Sequence, residues 1–480
     1  MKKIFTAMSF LLLVLLFNGC AKNPVTGKRD FMLMSESQEI AMGQQSDPDI
    51  VKFFGIYDDK KLQQFIDEKG QQMADVSHRK NLKYEFKIVD SPVVNAFAVP
   101  GGYVYFTRGI MAHFNNEAEF AGVLGHEIGH ITARHSAKQY SNAMVAQIGL
   151  VAGMVLAPEF AQFADLAQNG IGLLFLKFGR DAESQSDKLG VEYSTKINYD
   201  AHEMAGFFKT LDRLQSQSGG EVPTFLSTHP DPADREVKVA KLADDWQRKT
   251  KSSSLKVNRE SYLRMIDGII YGEDPKQGFV ENNIFYHPVL KFQFPVPTQW
   301  SFQNTPEQVQ MASSDGKAML LFTLAPGGSL ESAAQSVLKN YQLTLVESKK
   351  HTVNGLPVIA MVADQAAQEQ QQNLRTLIYV IEHGGNVYAM IGATQVTLFN
   401  NYAATFKNSM EKFDVLNDAS KLNKKPERVR IKTVQQKSTL EEVLKAYNVD
   451  TKRMQENAIL NGMQLTESID KGSLIKVISQ

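Results

Sequence analysis

Hydrophobic and polar positions repeat at two periods along this chain, and the changes of period mark its organisation. Residues 35–43 open a helical pattern, with Ser35 as N-cap and Gln38 three residues on. Tyr84, Phe86 and Ile88 alternate with Lys83, Glu85 and Lys87, the period of a half-buried strand. The run 93–99 ends at Pro100-Gly101-Gly102 and is followed by 103–107, a hairpin by composition. Residues 116 to about 215 read as mainly helical and include an apolar stretch, 143–157, closed by Pro158. That stretch is too short for a bilayer span and reads as a helix packed on the core, or else as a mobile flap over the cleft or a patch that touches membrane. A Lys- and Ser-rich segment at 249–254 precedes a helix over 259–269, and Tyr271-Gly272-Glu273-Asp274-Pro275 marks a boundary. Beyond it the period shortens to strands at 290–296, 309–312, 318–324, 356–362, 374–382 and 386–393, with helices at 330–341 and 400–413. Residues 417–427 form a second linker before the C-terminal stretch.

The expected fold class is therefore α+β and multidomain. A leader occupies 1–19, a linker 20–30, a mainly helical body with a small edge sheet 31–270, an α+β module 283–416 and a small module 428–480. A length of 480 residues suits about three domains. With 43% hydrophobic and 22% charged residues the chain has globular composition. Its 52 Lys and Arg balance 52 Asp and Glu, so the electrostatic footprint of a nucleic-acid binder is absent. The single cysteine, Cys20, rules out a disulfide framework within the chain.

Lys2 and Lys3, the apolar run 4–17 and Asn18-Gly19-Cys20 read as a secretory signal. The run Leu15-Leu16-Phe17-Asn18-Gly19-Cys20 resembles a bacterial lipobox, which implies a diacylglycerol on Cys20 and membrane attachment through it. Ala21 at the next position, rather than Asp, resembles lipoproteins sorted to the outer membrane.

The chemistry is concentrated in His126-Glu127-Ile128-Gly129-His130. With 10 histidines in the chain, chance would produce this H-E-x-x-H pattern roughly once in a hundred such sequences. Phe120, Leu124, Ile128 and Ile131 recur at helical spacing, and Asn115 or Asn116 can cap that helix. Residues four apart lie about 40° apart around a helix, so His126 and His130 project together and can grip one ion. Zinc suits imidazole and carboxylate donors, and Glu127 stands next to His126 where it can act as general base on a water. Gly122, Gly125 and Gly129 line one flank and point to close helix packing. A third protein ligand must come from elsewhere. Glu183 and Asp187 share one face of a second predicted helix; on spacing alone they suit either a ligand with its supporting carboxylate or an exposed acidic pair. His135 lies roughly 140° around a continuous helix from His130 and reads as structural.

Taken in order, these motifs resemble the bacterial periplasmic branch of the HtpX and CAAX-prenyl-protease zinc metallopeptidases, the forty-eighth metallopeptidase family, over about residues 20–280. The resemblance implies a zincin-type domain with His126, His130 and Glu183 as zinc ligands, Glu127 as catalytic base and Asp187 beside the ligands. Ser186 departs from the alanine usual before that aspartate. Asn95, Ala96, Phe97 and Ala98 resemble the strand that pairs with an extended polypeptide substrate. Thr228-His229-Pro230, with Arg235 downstream, resembles a further family element; on its own it also suits a turn at a helix start. His229 is then expected either to stabilise an oxyanion or to occupy the open metal position, and Arg235 to hold a loop or carboxylate. Residues 428–480 resemble a lysin-motif module, with Gln435-Gln436-Lys437 where such modules usually carry Gly-Asp, and are expected to bind peptidoglycan or an envelope protein. The expectation is a zinc metalloendopeptidase acting on misfolded or unassembled envelope proteins in the periplasm, anchored in the inner leaflet of the outer membrane. The competing class is a latent metal-binding chaperone or a peptidoglycan-docked binding protein.

Overall fold

The computed structural model describes residues 20–142, 178–217, 225, 229, 232–252, 254–365 and 373–480. The signal segment 1–19, the apolar stretch 143–157 and residues 228, 230 and 231 lie outside the described residues. The chain divides into two compact units, one of residues up to Gly272 together with Glu427–Gln480, the other Glu273–Pro426.

In the first unit a short hairpin, β1 (Cys20–Lys22) and β2 (Arg29–Phe31), precedes helix α1 (Glu36–Phe54). Ser35 and Gln38 close the expected capping box, and the helix continues to Phe54. Helix α2 (Lys60–Val76), capped by Asp59, packs against a three-stranded sheet of β3 (Glu85–Val89), β4 (Ala96–Val99) and β5 (Tyr103–Thr107). The sheet order is β3-β5-β4, with β3 parallel and β4 antiparallel to β5. The turn before β5 needs glycine. Gly102 sits at φ 104°, and a Cβ there would stand 2.2 Å from the Lys83 carbonyl oxygen.

Helix α3 (Arg108–His113) leads into α4 (Glu117–Thr132), every residue of which is buried. Helices α5 (Arg180–Lys196), α6 (His202–Gln217) and α7 (Pro232–Thr250) complete the layer around it. The glycines on α4 permit the close approach: a Cβ on Gly125 would meet Gly190 Cα at 2.9 Å, and one on Gly122 would meet Met204 Cβ at 2.5 Å. Helix α8 (Arg259–Met265) is shorter than the pattern suggests, because Gly268 at φ 95° turns the chain into β6 (Ile270–Tyr271).

The second unit holds two antiparallel sheets. One joins β7 (Phe279–Glu281), β8 (Ile284–His287), β9 (Phe292–Pro295) and, returning later, β17 (Asp414–Val415). The other has seven strands: β10 (Ser301–Asn304), β11 (Gln308–Ala312), β12 (Ala318–Leu324), β13 (Thr344–Val353), β14 (Leu356–Gln365), β15 (Leu374–His383) and β16 (Asn386–Gln395). Their order is β10-β11-β12-β16-β15-β14-β13, and helices α9 (Leu330–Asn340) and α10 (Phe399–Met410) pack on it. The hydrophobic pattern does not announce β13. It is an edge strand whose first seven residues are exposed, so no buried face imposes a period of two.

The C-terminal stretch comprises β18 (Glu427–Thr433), β19 (Ser438–Thr439), α11 (Leu440–Ala446), α12 (Met454–Leu460), β20 (Ser468–Ile469) and β21 (Leu474–Ser479). Its pattern reads as a free-standing module, yet it shares a compact unit with the helical body. Strand β18 pairs with β21 on one side and with β6 on the other, and Val429, Leu460, Leu474 and Ile478 enter the same apolar core as Phe120 and Tyr262. Lys476, fully buried, donates its Nζ protons to the carbonyls of Ala112, His113 and Phe114 at 3.0, 3.1 and 3.0 Å. No described helix is long and apolar enough to cross a membrane.

Candidate metal centre

Helix α4 starts where Asn116 Oδ1 accepts the Glu119 amide proton at 2.8 Å, which sets His126, Glu127 and His130 in its last two turns. Helix α5 lies against it and presents Glu183 in its first turn, with Asp187 one turn on. His229 completes a group of four: one ligand atom each from His126, His130, Glu183 and His229 lies within 4.8 Å of the others, all four residues buried.

The spacings fit a metal. His126 Nε2 stands 3.0 Å from His130 Nε2 and 3.2 Å from His229 Nδ1; Glu183 Oε1 is 3.3 Å from His130 Nε2 and 3.0 Å from His229 Nδ1. Four donors at 2.0–2.1 Å from a tetrahedral zinc ion stand about 3.3 Å apart, close to these separations. Beside the group, Glu127 Oε1 is buried with no hydrogen-bond partner among the described residues, 3.8 Å from His229 Nε2.

Electrostatics prepares the same residues. Burial drives the His130 imidazolium well below the usual histidine range, so this ring is a neutral donor. Burial would raise Glu183, but His229, His130 and His126 outweigh it and hold the carboxyl well below the usual range. Deprotonated donors are the forms a metal requires. For His229 burial favours the neutral ring, yet Glu183 and Glu127 prevail and raise its pKa. Burial raises Glu127, against the pull of His229 and His126.

A second layer holds the donors. Asp187 Oδ1 lies 3.0 Å from His126 Nδ1, the nitrogen turned away from the cluster. Arg235, from α7, donates Nε to Asp187 Oδ2 at 2.9 Å and Nη2 to Oδ1 at 2.6 Å; its Nη1 is 3.2 Å from Glu183 Oε2. The guanidinium also covers the Phe208 ring at 4.2 Å, so one residue ties α4, α5, α6 and α7 around the donors. Asp187→Asn is therefore expected to weaken zinc retention by about 10–100-fold with the fold retained. Competition with a chromogenic chelator measures this, and unchanged affinity would refute the supporting role.

Three residues around the donors were not visible in the spacing of the sequence. His135, read as structural from its angle on a continuous helix, places Nδ1 3.1 Å from His130 Nδ1 and Nε2 3.0 Å from Gln185 Oε1. The angle does not apply because α4 ends at Thr132 and Arg134 takes φ 58°, which redirects the chain before His135. His135 remains outside the donor group but steadies a donor. Phe178 lays its ring 4.1 Å from that of His130, and Phe225 stacks on His229 at 4.6 Å; nothing in their local pattern marks either.

The residues expected to meet a substrate lie on and before a strand that packs against the helix carrying two of the donors. Ala96, Phe97 and Ala98 belong to β4, an edge strand that packs against α4, and no described strand pairs with its outer side. Asn95 precedes it, its carbonyl accepting from the Thr107 amide and hydroxyl at 3.0 and 2.9 Å. Phe97 stacks on Tyr105 with ring centres 4.9 Å apart, which fixes the strand on its inner side. Cys20 opens β1, opposite Phe31.

A helix bearing His126-Glu127-x-x-His130, met by a glutamate from a second helix, is the architecture of a gluzincin-type metallopeptidase centre. Residues 60–243 match the profile of Peptidase family M48, and this segment holds the whole donor group. The chain is 31% identical over 178 residues to the mitochondrial metalloendopeptidase OMA1 of Arabidopsis thaliana, covering 36% of this chain and 35% of that protein. It is 28% identical over 215 residues to the beta-barrel assembly-enhancing protease of Escherichia coli (strain K12), covering 42% and 43%. With the OMA1 of Schizosaccharomyces pombe it shares 27% identity over 239 residues, 48% of this chain and 68% of that one. The chain thus spans under half the length of the first two relatives.

Proposed function

We propose that this protein is a zinc-dependent metalloendopeptidase that cleaves misfolded or unassembled envelope proteins in the periplasm. The observation that carries the reading is the buried donor group of His126, His130, Glu183 and His229 beside the unpartnered oxygen of Glu127. His126, His130 and Glu183 hold the metal. A zinc ion so held makes a water far more acidic and polarises a peptide carbonyl.

The rest is work for the protein's own groups. Glu127 takes a proton from the attacking water and delivers it to the leaving amine. Asp187 and His135 fix the orientations of the His126 and His130 rings, and Arg235 fixes Asp187. The outer edge of β4, from Asn95 through Ala98, pairs with an extended substrate backbone, which demands flexibility of the substrate more than sequence. His229 Nδ1 stands at the fourth corner of the donor group, which supports a closed resting state in which this ring takes the place the water needs. Cys20 carries the lipid anchor, and the envelope setting is supported by the leader and by the likeness to a beta-barrel assembly-enhancing protease. Residues 428–480 serve as a docking module toward peptidoglycan or an envelope protein.

Elemental analysis with a casein assay tests the reading. The purified chain is expected to hold one zinc ion, to cleave unfolded casein, and to lose cleavage on chelation and regain it with zinc. Glu183→Gln is expected to lose the metal. Cleavage that persists through chelation would overturn the proposal.

A further inference from the structure

The anchoring segment has no slack. Strand β1 begins at Cys20 itself and pairs with β2 through Cys20↔Phe31, Ala21↔Asp30 and Lys22↔Arg29. Asn23, buried, closes the hairpin: its Oδ1 accepts from the Val25 and Thr26 amides at 2.9 and 3.1 Å, and its Nδ2 donates to Asp30 Oδ2 at 2.9 Å. The same Nδ2 donates to the carbonyl of Ala133 at 3.3 Å, the residue that ends the helix carrying His126, Glu127 and His130. Farther on, Arg134 Nη2 donates to the Met34 carbonyl at 3.0 Å and the Leu33 amide donates to Ser141 Oγ at 2.9 Å, while Met32 and Met34 pack on Ala137. A flexible tether of twenty residues would let the body wander by about 25 Å; this one is fastened from its first residues.

The surface around the attachment point is basic with an apolar tip. Lys22, Lys28 and Arg29 are exposed, Lys138 is 46% exposed, and Leu33 is 43% exposed. The acidic groups nearby are engaged: Asp30 accepts from Asn23 and faces Lys138 at 3.5 Å, and Glu36 pairs with Arg79. From Cys20 to Asn23 the chain spans at most about 10 Å, and His130 is under one helical turn from Ala133, so an acyl group on Cys20 leaves the fold within about 30 Å of the metal donors. The opposite end of α4, about 24 Å away, meets the C-terminal segment, where Gly462 abuts Asn115 and Lys476 caps α3.

We propose that the face formed by Lys22, Lys28, Arg29 and Leu33 lies directly on an anionic phospholipid surface. The centre then works on extended segments of proteins emerging at that surface, and the C-terminal segment is held on the side away from the bilayer. This deepens the function proposed above and rests on lipidation of Cys20. Cations near an anionic leaflet contribute about 1 kcal/mol each, and Leu33 reaches the headgroup layer.

The full lipidated chain, reconstituted in phosphatidylethanolamine vesicles containing phosphatidylglycerol, provides the test. Cys20 is the only natural cysteine, so once it is acylated Leu33→Cys or Lys471→Cys supplies a unique thiol for a donor dye. Energy transfer to a headgroup acceptor is expected to be strong from position 33 and weak from 471. A flexible insert of about twenty Gly and Ser residues after Ala21 is expected to abolish that difference. It should also lower cleavage of lipid-coupled casein several-fold while leaving free casein unaffected. Equal transfer from both positions in the uninserted protein overturns the inference. A Cys20 without diacylglycerol by mass spectrometry overturns the lipidation reading and the inference with it. Failure to cleave either casein sinks the protease reading and the substrate half of the inference, whereas the energy-transfer result decides the membrane face independently.

Discussion

Glu127→Gln is expected to lower cleavage of unfolded casein by roughly a hundred- to ten-thousand-fold while the zinc content and thermal stability of the chain stay unchanged. The size follows from what a positioned general base contributes to proton transfer. The selectivity follows from geometry. Glu127 is not in the donor group, so an amide in its place leaves His126, His130, Glu183 and His229 intact. Its Oε1 has no hydrogen-bond partner among the described residues, so the substitution breaks no bond of that atom, and the side-chain volume is conserved. The carboxylate stands in a buried site, 3.8 Å from His229 Nε2, where a base would meet a water. Parallel measurements of steady-state cleavage and bound zinc check this. Retained cleavage would show that another group moves the proton; lost zinc would show that Glu127 has a structural part in the centre.

The second large effect is expected far from the chemistry, at Lys476→Met. Three N–H donors of one ammonium meet three carbonyls at the end of α3, in an interior where burial pushes the lysine well below its ordinary pKa. The carbonyls of Ala112, His113 and Phe114 precede the helix that carries the metal donors, and Glu119 of that helix, its pKa pushed up to about 7 by burial, faces the same lysine. Methionine fills the volume but donates nothing, so these buried acceptors lose their partner. Relief of the buried charge offsets part of that loss. A net destabilisation of about 2–4 kcal/mol is expected. Denaturant unfolding followed by a probe in the helical body measures it, with the exposed Lys471→Met as control. A change under about 0.5 kcal/mol would show that the C-terminal segment is only loosely docked.

What the sequence determined by itself is what is local. The capping box at Ser35, the alternation of β3, the hairpin of β4 and β5 and the helix under His126 and His130 each depend on residues a few positions apart, whose periodicity becomes a face once the backbone period is set. For the same reason two donors and the neighbouring Glu127 were legible as one site. Glu183 was legible as a candidate only, since its face on α5 could equally have met solvent; packing of α5 on α4, made close by Gly125 and Gly190, decided that it faces the histidines.

Tertiary structure alone decided the rest. His135 reached His130 because the chain turned at Arg134, and no helical angle anticipates a break. Strand β13 formed through its neighbour β14, without a buried face to write its period into the sequence. The C-terminal residues joined the helical body because β18 added to β6 and Val429, Leu474 and Ile478 found an existing core. Polar linkers in a sequence show where a chain leaves one element. They carry no record of which distant surface the next element will cover, since that is fixed by shape and burial between residues hundreds of positions apart.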